Sequence, residues 1–226
     1  MEVPRWKRWL SYLTEVHVES APSGVNPHLY VSMRNGRYQL STANAIYSYE
    51  DLYTNFLYAF RQIDFERLPG QEVLLLGLGL GSVPIMLERI FKQEFRYLAV
   101  ELDPNVIYLA NTYALSGLSS PVTTIGADAY PYTQQLEETF DLICMDIFLD
   151  DIIPAAFLTA SYLETLRRLL NPGAVLLYNC LYRNPDDKRA TEAFYTETFQ
   201  KVFPNATYLD VQGNWILVSD RGVVKG

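Results

Sequence analysis

The stretch from Glu72 to Ser82 is the strongest constraint on what this chain can fold into. An apolar run, Val73-Leu74-Leu75-Leu76, breaks into Gly77, Gly79 and Gly81 before a helical pattern opens. It reads as a buried strand feeding a tight turn. Glycine supplies the turn because it lacks the Cβ that would block both the backbone conformation and the approach of a ligand beside a helix N-terminus. The next apolar run, Tyr97-Leu98-Ala99-Val100, ends in Glu101, 24 residues after Gly77. That is close to the spacing at which an acidic side chain takes ribose hydroxyls in nucleotide-binding α/β folds.

Strand and helix signals alternate on either side of this turn. Residues 28–33 and 37–40 flank Asn35-Gly36, a hairpin turn, and form a small N-terminal β unit. Residues 51–61 carry Leu52, Phe56, Leu57 and Phe60 on one helical face, and Pro69-Gly70 then leads into the glycine-rich strand. Helices are expected over 83–92, 104–115 and 155–170, and strands over 95–101, 122–125, 140–147 and 174–180. This alternation predicts a mostly parallel sheet with helices on both faces. Residues 207–211 and 215–219 bracket Gln212-Gly213-Asn214 and read as an antiparallel hairpin at the sheet edge. The expected organisation is an N-terminal extension, 1–65, and a Rossmann-like nucleotide-binding domain, 66–226.

With 226 residues, 49% hydrophobic and 19% charged, the chain has an ordinary globular composition, and no apolar run approaches the roughly 20 residues that span a bilayer. A formal charge of −8 argues against non-specific nucleic-acid binding and suits a cationic substrate. Cys144 and Cys180 both lie inside apolar runs and read as small core residues. Together with an N-terminus that has no signal-peptide core, they point to the cytoplasm.

In an open sheet of this kind, ligands sit beyond the carboxyl ends of the strands, where the strand order reverses. Glu101, Asp128, Asp146 and the Asp150-Asp151 pair fall at such ends. Asp103 before Pro104 reads as a helix N-cap, and Asp128 reads either as the cap of a helix from Ala129 or as an adenine contact. Glu101 has no obvious structural task and is assigned to ribose. Asp146 ends the strand expected beside the glycine-rich one and would face the crevice. His17 and His28 are isolated, and no spacing of His, Cys or carboxylates fits a metal.

Four segments together, 73–81, Val100-Glu101-Leu102-Asp103, Gly126-Ala127-Asp128-Ala129 and 140–146, resemble the class I S-adenosylmethionine-dependent methyltransferase fold. Within it they are most similar to the spermidine synthase (polyamine aminopropyltransferase) family, and the likeness runs from the Asn35-Gly36 hairpin through Asn44, Glu50 and Tyr53 to about residue 220. The resemblance implies S-adenosylmethionine or its decarboxylated form as the donor. Gly77, Gly79 and Gly81 would hold its methionine-derived part, Glu101 the ribose, and Asp128 and Ala129 the adenine. Asp146 would address the attacking amine, with Asn44, Tyr53 and Asp150 on the substrate side.

The departures fall on the polyamine side. Leu80 stands where the family has an acid, Asn44 replaces its Gln, Tyr49-Glu50 its Asp-Glu, and Thr54-Asn55 its His-Glu. After the fourth strand the family repeats an acid three residues on, whereas this chain has Leu149 and then Asp150-Asp151. The expectation is therefore an alkyl transferase, moving methyl or aminopropyl to a small-molecule acceptor, with a homodimer as the expected assembly and no nucleic-acid or membrane partner. A catalytically inactive domain of the same fold, acting through nucleotide or partner binding, stays open because the polyamine-site acids are missing. An NAD-dependent oxidoreductase is a third reading, against which stand Ser82 in place of the last small residue of Gly-x-Gly-x-x-Gly and an unused Asp128.

Overall fold

The computed structural model describes residues 4–25, 28–42, 46–149 and 151–226. Helix α1 (Arg5–Leu10) precedes a four-stranded antiparallel sheet of β1 (Val16–Ser20), β2 (Tyr30–Arg34), β3 (Arg37–Ser41) and β4 (Ile46–Ser48). Asn35 and Gly36, both at positive φ, close the β2–β3 hairpin as the sequence predicts. Helix α2 (Thr54–Gln62) then leads into an alternating series. It comprises β5 (Glu72–Leu76), α3 (Ser82–Arg89), β6 (Arg96–Glu101), α4 (Pro104–Tyr113), β7 (Val122–Gly126), α5 (Ala129–Gln135), β8 (Phe140–Met145), α6 (Ala160–Arg168) and β9 (Leu170–Leu181). Helix α7 (Pro185–Phe194) and the hairpin β10 (Thr207–Asp210) and β11 (Asn214–Val218) complete the chain.

The second sheet has seven strands in the order β10-β11-β9-β8-β5-β6-β7. β7, β6, β5, β8 and β9 are mutually parallel, and β11 runs antiparallel between β9 and β10. The strand order reverses between β5 and β8: β6 and β7 build outward on one side, and β8 and β9 on the other. A crevice at the carboxyl ends of β5 and β8 follows from that topology.

Side chains alternate across the pleat, so each central strand supplies both cores. Val73 and Leu75 of β5 and Leu142 and Cys144 of β8 join Phe56, Phe60, Ile85, Met86, Val106 and Leu109 on the face covered by α2, α3 and α4. Leu74, Leu76, Ile143 and Met145 join Tyr162, Leu163, Leu166 and Phe194 on the opposite face, beneath α6 and α7. Leu29, Val31 and Leu40 of the N-terminal sheet are buried in the first of these cores. Both cysteines are buried and free.

Several elements depart from the sequence expectation. The helix expected over 155–170 is divided: a 3-10 turn at Ala155–Leu158 is followed by α6, which starts where the Thr159 side chain accepts from the Tyr162 N–H. β9 begins at Leu170, ahead of a Gly173 at φ 83°, and not at 174. Helix α7 escaped the periodicity reading although it carries a start signal. Asn184 accepts from the N–H groups of Asp186 and Asp187, and Pro185 occupies the first turn. No described helix is long and apolar enough to cross a membrane.

Candidate active site

A cavity of about 650 Å³ lies at the reversal point. Gly77, Gly79, Glu101, Leu102, Asp128 and Ala129 line one half from the ends of β5, β6 and β7. Asp146, Asn179, Leu181, Arg183 and Asn214 line the other from the ends of β8 and β9 and the start of β11. The N-terminal segment covers both through Ile46, Tyr47, Tyr53 and Asn55. Asn44 and Asp150, expected on the substrate side, lie outside the described residues.

The glycine turn is shaped by close approach. Gly77 sits at φ 91°, and a Cβ there would collide with the Asp146 carbonyl oxygen; Gly79, at φ 53°, abuts the Ser48 side chain. Gly81, expected to hold the ligand, does not line the cavity. At φ 78° it caps α3, and a Cβ would run into Leu115. The turn's amides are also less available than the sequence implies. Gly77 N–H donates to the Val100 carbonyl (3.0 Å), Gly81 N–H to the Leu78 carbonyl (2.9 Å) and Leu78 N–H to Glu101 Oε2 (3.0 Å). Ser82, at the start of α3, is buried, with its hydroxyl 2.7 Å from Ser48 Oγ and accepting from Tyr49 N–H (3.1 Å). The helix end where a dinucleotide would seat its pyrophosphate is therefore closed by the N-terminal unit.

Glu101 has a structural task that sequence reading missed. Oε2 accepts from Leu78 N–H, and Oε1 accepts from Asp103 N–H (3.0 Å), so the side chain ties the glycine turn to the start of α4. A third backbone donor, Gly79 N–H, also acts on the carboxylate, and Glu101 lines the cavity. Burial pushes its pKa up, opposed by these backbone donors. For Asp128 the structure shows the cap and a place in the cavity wall. Oδ1 accepts from Tyr130 N–H (2.9 Å) as the α5 cap, and the residue also lines the cavity beside Ala129. Asp103 is the expected cap of α4, accepting from Asn105 N–H at 2.9 Å.

Asp146 follows β8, with its N–H donated to the Leu76 carbonyl (2.8 Å). Its Oδ1 accepts from the Tyr53 hydroxyl (3.3 Å) and from Asn179 Nδ2 (2.8 Å). Asn179 in turn accepts from Asn214 Nδ2 (2.8 Å), so three strands and the N-terminal segment fix the carboxylate. Among the described residues, these hydrogen bonds all reach Oδ1, and Asp146 lines the cavity. Burial, opposed by the Asn179 and Tyr53 donors and aided by the negative charge of Glu101, raises Asp146 to about 6. A carboxylate titrating there suits proton transfer near neutrality. Asn179, Asn214 and Arg183 are not legible as site residues, because the first two lie within strands and the third just after one, with no motif to mark them.

Leu80 is fully buried in the core and does not line the cavity, so its side chain does not face a ligand. Among the described residues, Arg183 is the one basic side chain in the lining, and it is held by Asp151 and Asp187. Glu101, Asp128 and Asp146 have no basic partner among the described ion pairs, and the cavity carries a negative field.

No protein-family model matches the chain. A polyamine aminopropyltransferase from Vibrio vulnificus (strain CMCP6) is 28% identical over 154 residues, covering 66% of this chain and 50% of that protein. A probable polyamine aminopropyl transferase from Bifidobacterium longum (strain NCC 2705) is 27% identical over 136 residues, covering 60% of this chain and 30% of that protein. The chain thus spans half or less of the length of these relatives. Among solved structures, a probable spermidine synthase from Corynebacterium glutamicum ATCC 13032 superposes with a TM-score of 0.69 at 19% identity, covering 89% of this chain and 78% of that one. A spermidine synthase in complex with the transition state analogue AdoDATO gives 0.66 at 16% identity, covering 93% and 74%. Human methyltransferase-like protein 13 in complex with SAH gives 0.55 at 24% identity, covering 70% and 75%. The fold is that of the class I S-adenosylmethionine-dependent methyltransferases. Within that fold the chain is similar in sequence to polyamine aminopropyltransferases and superposes on spermidine synthases over 89–93% of its length.

Proposed function

We propose that the protein is an alkyl transferase that uses S-adenosylmethionine or its decarboxylated form and delivers the alkyl group to a small amine. The observation that carries this reading is the pairing, across Gly77, of a nucleoside half built on Glu101 and Asp128 with a second half built on Asp146. The residues fit an adenosyl sulfonium. The Glu101 carboxylate in the cavity wall suits ribose hydroxyls, the acidic lining suits a fixed positive charge, and the internally bonded glycine turn suits a ligand without phosphate better than one with it. That closed turn also stands against the dinucleotide reading.

When bound, such a donor supplies an electrophilic carbon: the amine lone pair forms the new C–N bond, the C–S electron pair returns to sulfur, and one proton must leave the nitrogen. Asp146 is the group for that proton. Its Oδ1 is pinned by Tyr53 and Asn179, its carboxylate lines the cavity, and its native pKa of about 6 leaves it ionised at neutral pH while keeping it basic enough to accept. Tyr47, Tyr53 and Ile46 cover the crevice and limit water there. The acceptor class, a small amine, also follows the names of the two relatives.

The test is to incubate the protein with each donor and a panel of amines and to identify the sulfur product. S-adenosylhomocysteine marks methyl transfer and methylthioadenosine marks aminopropyl transfer. Binding of neither donor would refute the reading.

A further inference from the structure

The second half of the cavity carries an arrangement of charge that the strand order explains. Its walls come from β8, β9 and β11, on the side of the reversal point away from the nucleoside half. Three neutral amides, Asn55, Asn179 and Asn214, stand among apolar side chains such as Phe148, Leu149 and Leu181. Two described carboxylates reach this half, Asp146 and Asp151. They are not equivalent. Asp146 accepts only from neutral donors, Tyr53 and Asn179, and keeps its charge uncompensated. Asp151 is already paired, because Arg183 Nη2 lies 3.2 Å from its Oδ2.

Arg183 is itself anchored from the other side. Its Nε lies 3.2 Å from Asp187 Oδ2 in the first turn of α7, whose N–H groups are capped by Asn184. The guanidinium is therefore held at the cavity wall between two carboxylates, just beyond the end of β9. The Arg183–Asp151 pair is half-exposed, at 47% for the Arg183 side chain and 53% for Asp151, so it contributes little to folding stability. Its effect on a ligand is different. A flexible acceptor with an ammonium at each end needs a free carboxylate for each, since a desolvated ammonium without one is strongly disfavoured. Here the second described carboxylate is occupied, and the group occupying it is a cation that repels another.

Resting on the transferase reading above, we propose that Arg183 is a specificity residue that restricts the acceptor to a single cationic amine, seated at Asp146, with an uncharged remainder lying along the amide-lined and apolar wall. The device works by repulsion as well as by contact. Specificity of this kind is built by placing an unfavourable charge against the wrong ligand.

The experiment compares 1-aminobutane with 1,4-diaminobutane, acceptors of equal length that differ by one ammonium, using the full chain and whichever donor it accepts. The expected result is a kcat/KM about tenfold or more in favour of the monoamine. Arg183→Met, which keeps the stem and removes the charge while freeing Asp151, should shrink that preference by about tenfold, mainly through a gain for the diamine. Thermal melting and methylthioadenosine affinity of the variant establish that it is folded and that its nucleoside half is intact. A wild-type preference for the diamine would overturn the proposal, as would an unmoved ratio in the folded variant. Where turnover is too slow to read, displacement of one amine by the other from the methylthioadenosine-loaded protein gives the same ratio. Failure of the monoamine to bind there overturns it too. A failure of the transferase reading is distinguishable, because it appears as absent nucleoside binding before any amine is added.

Discussion

Replacing Asp146 with Asn separates the base from the scaffold. The substitution keeps the side chain's shape, and the amide oxygen can still accept from Tyr53 and Asn179, so the local network survives. What is lost is the charge. The carboxylate titrates near 3.8 in the unfolded chain and at about 6 in the native site. At 1.36 kcal/mol per pH unit, ionising it in the folded protein costs up to about 3 kcal/mol. Because the native pKa is raised, the carboxyl's favourable contribution is fully present below pH 3.8 and is lost as pH rises through about 6. Asp146→Asn should therefore melt higher than wild type at pH 8, by at most about 6 to 12 °C for a chain of this size, and the gain should shrink progressively toward pH 4. Methylthioadenosine affinity should hold, whereas turnover should fall by roughly 10² to 10⁴. Differential scanning calorimetry across pH 4–8, with single-turnover assays on the same samples, reads both effects. A melting difference that ignores pH would refute the account of the site's electrostatics, and full activity would remove Asp146 from the mechanism.

Tyr53→Phe removes a donor that favours the ionised Asp146, so the acid limb of the pH–rate profile, set near pH 6 in wild type, should move upward; a profile that stays in place would show that the 3.3 Å contact is immaterial. Glu101→Gln keeps acceptor oxygen on one side only and forfeits the charge, which should weaken nucleoside binding by about 1.5 to 3 kcal/mol by calorimetry, with some loss of stability from the released backbone donors. Gly77→Ala forces a Cβ against the Asp146 backbone at φ 91° and should cost about 1 to 3 kcal/mol in denaturant unfolding while displacing the base, so that turnover falls with it. Gly81→Ala should destabilise through its contact with Leu115 and leave nucleoside affinity in the folded fraction nearly intact, since Gly81 does not line the cavity.

Much of this architecture is written in local pattern. The run 73–81 declares a buried strand and a turn that only glycine can make, and the alternation after it fixes a parallel sheet with a reversal point. Asp103-Pro104 and Asn35-Gly36 behave as their chemistry predicts because caps and hairpin turns are decided within a few residues. The site is only half legible for the same reason. Glu101, Asp128 and Asp146 are marked by ending strands, and all three line the cavity. Asn179, Asn214 and Arg183 reach it through the pairing of β9 with β11 and the packing of α7, which are contacts between distant segments that no spacing announces. Gly81 and Leu80 went the other way: both sit in the motif, yet the turn directs one against Leu115 and buries the other. Glu101's second task was hidden because its partners are backbone N–H groups, which every sequence supplies.

The central claim, that this cavity holds an adenosyl thioether or sulfonium between Glu101 and Asp146, is tested most directly by isothermal titration of the unmodified protein with S-adenosylmethionine, its decarboxylated form, methylthioadenosine and NAD. The account predicts saturable one-to-one binding of at least one of the first three, lost or sharply weakened in Glu101→Gln and retained for methylthioadenosine in Asp146→Asn. Binding of NAD alone, or of no nucleoside at all by a protein that melts cooperatively, would contradict it.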